Sequence, residues 1–79
     1  MFNFDATSDE YFVQAVRVAI EANTVSTSFI QRKFGIGFQR ASKLVDQMES
    51  MGYISPPQGA NKARKVLITE EEFLEKYGG

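Results

Sequence analysis

Seventy-nine residues, 43% hydrophobic and with a net charge of −1, make at most one domain, and a chain this short buries only about 60–65% of its unfolded surface, so its core has to be economical. The lack of cysteine excludes disulfides and thiolate metal sites, and the lack of histidine removes the commonest general base and metal ligand together. No apolar run approaches the roughly 18–20 residues of a membrane span and no signal-peptide pattern opens the chain, so the expectation is a cytoplasmic protein without cofactor, metal or membrane contact.

Residues 1–6 read as a loose lead-in, with Phe2 and Phe4 able to dock on the core. Thr7 and Glu10 stand in capping-box spacing and predict a helix start. Phe12, Ala15, Val16, Ala19 and Ile20 then recur on one helical face that runs to about Asn23. Thr24-Val25-Ser26 is β-branched and short, which suits a brief extended segment. Ser26 or Thr27 caps a second helix that turns Phe29, Ile30 and Phe34 inward.

Gly35-Ile36-Gly37 breaks that helix: the glycines permit a tight turn and Ile36 can plug the angle between helices. A third helix is predicted from about Phe38 to Met51, with Ala41, Leu44, Val45 and Met48 as its apolar stripe and Gly52 as its left-handed stop. Tyr53-Ile54-Ser55 reads as a strand, Pro56 to Ala63 as a loop and Arg64 to Ile68 as a returning strand. Thr69 and Glu72 repeat the capping-box spacing and open a last helix with Phe73, Leu74 and Tyr77.

Helix, short strand, helix, turn, helix and hairpin is the order of a winged helix-turn-helix. The predicted fold is therefore mainly α with a small β-hairpin: a three-helix core plus wing over residues 7–68, and an extra C-terminal helix over 69–79. No internal repeat or linker divides the chain.

In such an arrangement the third helix presents its N-terminal half to base edges in the major groove. Gln39, Lys43 and Asp46 lie at i, i+4 and i+7, opposite the apolar stripe. An amide can pair with adenine, a lysine with guanine and a carboxylate with the cytosine amino group. Arg40 and Gln47 flank that face as backbone contacts, Arg32 and Lys33 close the second helix, and Lys62, Arg64 and Lys65 sit on or beside the wing. Ser28 belongs to the start of the second helix, where N–H groups can seat a phosphate. The plain alternatives are a solvated helix face, a solvated basic turn and ordinary helix caps.

The overall acidity conceals a segregation. Residues 30–66 carry seven basic and two acidic side chains, a local +5, while residues 1–29 and 67–79 each sum to −3. A polyanion responds to the local field rather than to the total.

Gln31-Arg32-Lys33-Phe34, Ile36-Gly37-Phe38, Arg40-Ala41, Met48-Glu49, Gly52 and Arg64-Lys65-Val66-Leu67 resemble, in order and spacing, the γ domain of FtsK/SpoIIIE-type bacterial DNA translocases. The resemblance covers Asp9 to Leu67 and runs without a gap through QRKFGIGFQRASKLVDQMESMGYI. It implies a winged helix that reads short, G-rich, directional sequences on double-stranded DNA, orients a chromosome-segregating motor and contacts the XerD recombinase. It places base readout at Gln39, Lys43 and Asp46, where the family has asparagine, arginine and glutamate. Amide, base and acid keep their order, but lysine lacks the bidentate fork of arginine. Gly35 replaces a usual arginine and Lys65 a usual glutamate, so the preferred sequence is not carried over.

No G-x-x-x-x-G-K-[ST] phosphate loop is present, so the translocating motor is not in this chain. The sequence leaves open an excised terminal module or a free-standing small protein, monomeric or in tandem copies on DNA. It also leaves a protein-interaction adaptor gripping a recombinase or regulator, and a stand-alone transcription regulator. An enzyme is the weakest class: Asp46 and Glu49 on an exposed helix make no pocket.

Overall fold

The computed structural model describes residues 10–57 and 63–78. Four helices follow in order: α1 (Phe12–Ala22), α2 (Thr27–Phe34), α3 (Phe38–Ser50) and α4 (Glu70–Tyr77). α2 and α3 pack most extensively against one another, and α1 lies across both α3 and α4.

Each helix boundary has a local cause. α1 begins later than the capping-box spacing predicts. Tyr11 is the residue at its N-cap, without a side-chain cap, and Thr7 lies outside the described residues. α1 ends at Asn23, left-handed at φ 59°, a conformation that asparagine tolerates. Ser26 caps α2, its hydroxyl accepting from the Phe29 N–H at 3.1 Å. Gly35 closes that helix at φ +64°, and the Gln31 carbonyl accepts from both Gly35 and Ile36 N–H groups. Gly37, at φ −75°, caps α3 in ordinary extended geometry, so of the two glycines only Gly35 uses the left-handed region. α3 stops in a Schellman arrangement: Gly52, at φ +77°, donates to the Glu49 carbonyl and Tyr53 to the Met48 carbonyl, both at 2.9 Å. The Thr69–Glu72 capping box forms in both directions.

The expected stripes meet in one core. Phe12, Ala15, Val16 and Ala19 of α1, Ile30 of α2, and Ala41, Leu44, Val45 and Met48 of α3 are buried with Val25, Tyr53, Ile54, Ile68 and Phe73. Phe29, Phe34 and Ile36 pack against it half-buried. Leu74 does not join: 55% of it is exposed, so only Phe73 and partly Tyr77 anchor α4. Their rings lie 5.4 Å apart, and the Tyr77 hydroxyl is 2.9 Å from that of Tyr53.

The expected hairpin is reduced. Among the described residues β structure consists of two isolated antiparallel bridges, Val25–Arg64 and Ile54–Val66. The hydrogen bonds explain why no ladder grows. The Tyr53 N–H is committed to the end of α3, and the Lys65 N–H goes to the Ser55 hydroxyl at 3.0 Å, beside the Ser55 N–H bond to the Lys65 carbonyl at 2.9 Å. Beyond Ser55 come Pro56 and Pro57, which have no N–H to offer.

A candidate nucleic-acid interface

α3 divides into two faces. With Ala41, Leu44, Val45 and Met48 wholly buried, Gln39, Lys43 and Asp46 stand exposed together on the other side. Gln47, half-buried, lies nearer the core boundary. The helix starts with Phe38, which spacing places three residues before Ala41 on the apolar stripe; 62% of it is nevertheless exposed.

The other predicted cations lie on several elements. Arg32 and Lys33 occupy the last turn of α2, exposed, where positive charge also offsets the partial negative charge of a helix C-terminus. Lys65 is exposed on the segment that pairs with residues 54 and 55. Lys62 lies outside the described residues.

Two of the predicted site arginines have partners within the molecule. The Arg64 guanidinium donates to the Glu49 carboxylate at 2.8 Å with only 12% of its side chain accessible, and so ties α3 to the bridged segment. Arg40 stands with its guanidinium carbon 4.7 Å from the centre of the Tyr11 ring and a nitrogen 3.8 Å from Glu10. Tyr11 in turn stacks on Phe34 at 5.0 Å.

A cleft gathers residues from four places in the sequence. Ser26, Thr27, Ser28 and Gln31 of the α2 end, Phe38 of α3, Pro57 and Arg64 line it together. Ser28 is exposed there with its hydroxyl 3.3 Å from that of Ser26. Sequence reasoning brought Ser28 and Arg64 to the interface separately. It missed Phe38, Tyr11 and the two acids Glu10 and Glu49. A helical wheel assigns Phe38 to the core, and the Tyr11–Arg40 and Glu49–Arg64 partners are too distant in sequence for any periodicity to link them.

Among the described residues no group of three or more Cys, His, Asp or Glu could hold a metal, and no helix is long and apolar enough to cross a membrane.

Comparison with known proteins agrees with the order of motifs. Residues 6–69 match the family model described as the Ftsk gamma domain. The chain is 43% identical over 66 residues to the DNA translocase FtsK of Sporosarcina ureae, covering 84% of the chain and 8% of that protein. It is 46% identical over 66 residues to the DNA translocase SftA of Bacillus subtilis (84% and 7%), and 40% identical over 68 residues to the DNA translocase SpoIIIE of the same organism (86% and 8%). The chain thus spans less than a tenth of the length of these relatives, and almost all of it is the matched region. It belongs to the FtsK γ-domain family.

Proposed function

We propose that this domain is a winged-helix module that binds double-stranded DNA with a sequence preference and so orients a DNA translocase in chromosome segregation. The observation that carries this reading is the exposed Gln39–Lys43–Asp46 face of α3, with Arg32, Lys33 and Arg40 also exposed, in a chain of the γ-domain family. The side chains of that face offer hydrogen bonds to base edges, while those cations and Lys62 and Lys65 engage phosphates. Ser28 and Gln47 supply neutral backbone contacts, and Arg64 contributes through whatever donors its pair with Glu49 leaves. The segment from Tyr53 to Ile68 acts as the wing, with residues 69–79 appended behind it. Each copy acts as a monomer on the cytoplasmic DNA, alone or in tandem, and the acidic α4 leaves a separate side for a XerD-like recombinase.

Binding to a G-rich directional duplex and to a random one, measured across salt, tests the reading. With about four phosphates neutralised, log K falls against log salt with a slope of roughly −3.6, from about −0.9 per contact. Lys43→Ala narrows the gap between the two duplexes, whereas Lys65→Ala weakens both alike. A slope near zero with undiminished binding of a protein partner would replace this reading with the adaptor.

A further inference from the structure

Three side chains from three elements form a stack at one edge of α3. Phe34 ends α2, Tyr11 precedes α1 and Arg40 lies in the first turn of α3. The Phe34 and Tyr11 rings lie 5.0 Å apart with 24° between their planes, and the guanidinium carbon of Arg40 sits over the Tyr11 ring, 4.7 Å from its centre. Phe34 and Tyr11 are both half-buried, whereas 42% of the Arg40 side chain is accessible. A guanidinium held by its cation–π contact keeps five planar N–H donors, which the ring itself does not use up.

We propose that Tyr11 is a positioning residue for the DNA backbone: it holds Arg40 ready for one phosphate, and Glu10 occupies that phosphate's place until DNA arrives. The inference rests on the DNA-binding reading above. A long arginine on an open surface loses much rotamer freedom when it grips a phosphate, and a side chain already held in place loses less. The aromatic platform, backed by Phe34, removes part of that cost in advance. Glu10 is 3.8 Å away and 74% exposed, and an ion pair that open to water is weak enough to be exchanged. A phosphate oxygen can accept two guanidinium N–H bonds in the same place. This chain thereby carries a contact that belongs to its α1 edge as much as to α3.

The test is a double-mutant cycle on duplex binding by the 79-residue chain, with salt varied and thermal melting followed in parallel. Arg40→Gln flattens the slope of log K against log salt by about 0.9, the loss of one phosphate contact. Tyr11→Leu weakens binding about two- to fivefold, the scale of an exposed cation–π contact, and has no further effect in the Arg40→Gln background. Tyr11→Phe keeps the ring and binds like wild type. Glu10→Gln tightens binding in the wild-type background and leaves the Arg40→Gln variant unchanged. Equal losses from Tyr11→Leu in both backgrounds, at unchanged melting temperature, would overturn the role of Tyr11 alone. If Tyr11→Leu does not melt cooperatively, Glu10→Gln decides, and equal tightening in both backgrounds overturns the inference. Absence of any salt-dependent duplex binding by the wild type would instead remove the DNA-binding reading on which it rests.

Discussion

Arg64 and Glu49 meet where the outer side of α3 faces the segment that carries both bridges, the arginine side chain 12% accessible and the glutamate 37%. Arg64 is held further by its backbone, which exchanges two hydrogen bonds with Val25. Replacing it with methionine keeps the length of the side chain but leaves Glu49 without its donor. The expected cost is about 1–2 kcal/mol, above an open surface pair and below a fully buried one, read as a lower denaturant midpoint at an unchanged m-value. Sequence alone marks Arg64 as one more wing cation, because charge and loop position are visible there and a partner fifteen residues away is not. The opposite holds on α3. Gln39, Lys43 and Asp46 are placed outward by helical spacing alone, since their neighbours Ala41, Leu44, Val45 and Met48 leave the helix a single way to bury itself.

At the scale of elements, one capping-box spacing can be followed to its hydrogen bonds. Thr69 and Glu72 close their capping box: the Glu72 carboxylate accepts from the Thr69 N–H at 2.9 Å and the Thr69 hydroxyl from the Glu72 N–H at 3.1 Å. Glu10 has a partner across the molecule, Arg40, and Tyr11 has Phe34, both at the beginning of α1. Thr7, the other half of the first spacing, lies outside the described residues, and α1 itself starts beyond it, at Phe12. Thr69→Ala removes half of the box, costs about 1 kcal/mol, and lowers the midpoint of thermal unfolding without disturbing α2 or α3. The reduced hairpin has its own lesson. Alternating residues announce strands at Tyr53–Ser55 and Arg64–Ile68, but the end of α3 takes the Tyr53 N–H and two prolines end the pairing, and neither competition is written into strand propensity.

At the scale of the whole molecule, the Tyr53–Tyr77 hydroxyl contact ties α4 to the segment that follows α3. Partial burial, and then the hydrogen bond with Tyr53, push the Tyr77 hydroxyl from 10.0 up to about 12. Its folded form holds a proton that the unfolded chain releases first. The contribution to stability is therefore complete below about pH 10 and disappears as pH rises through about 12. Urea titrations between those limits should show stability falling in the wild type and a shallower fall in Tyr77→Phe. The bridge between Val25 and Arg64 has a kinetic consequence. Three of the helices follow one another along the chain and can assemble by short-range closure, whereas this link waits until the segment that carries Arg64 has returned. Shortening Val25 to alanine should then leave the refolding rate almost unchanged and accelerate unfolding, the signature of a knot tied after the rate-limiting step. Equal slowing of refolding would place that knot inside the nucleus.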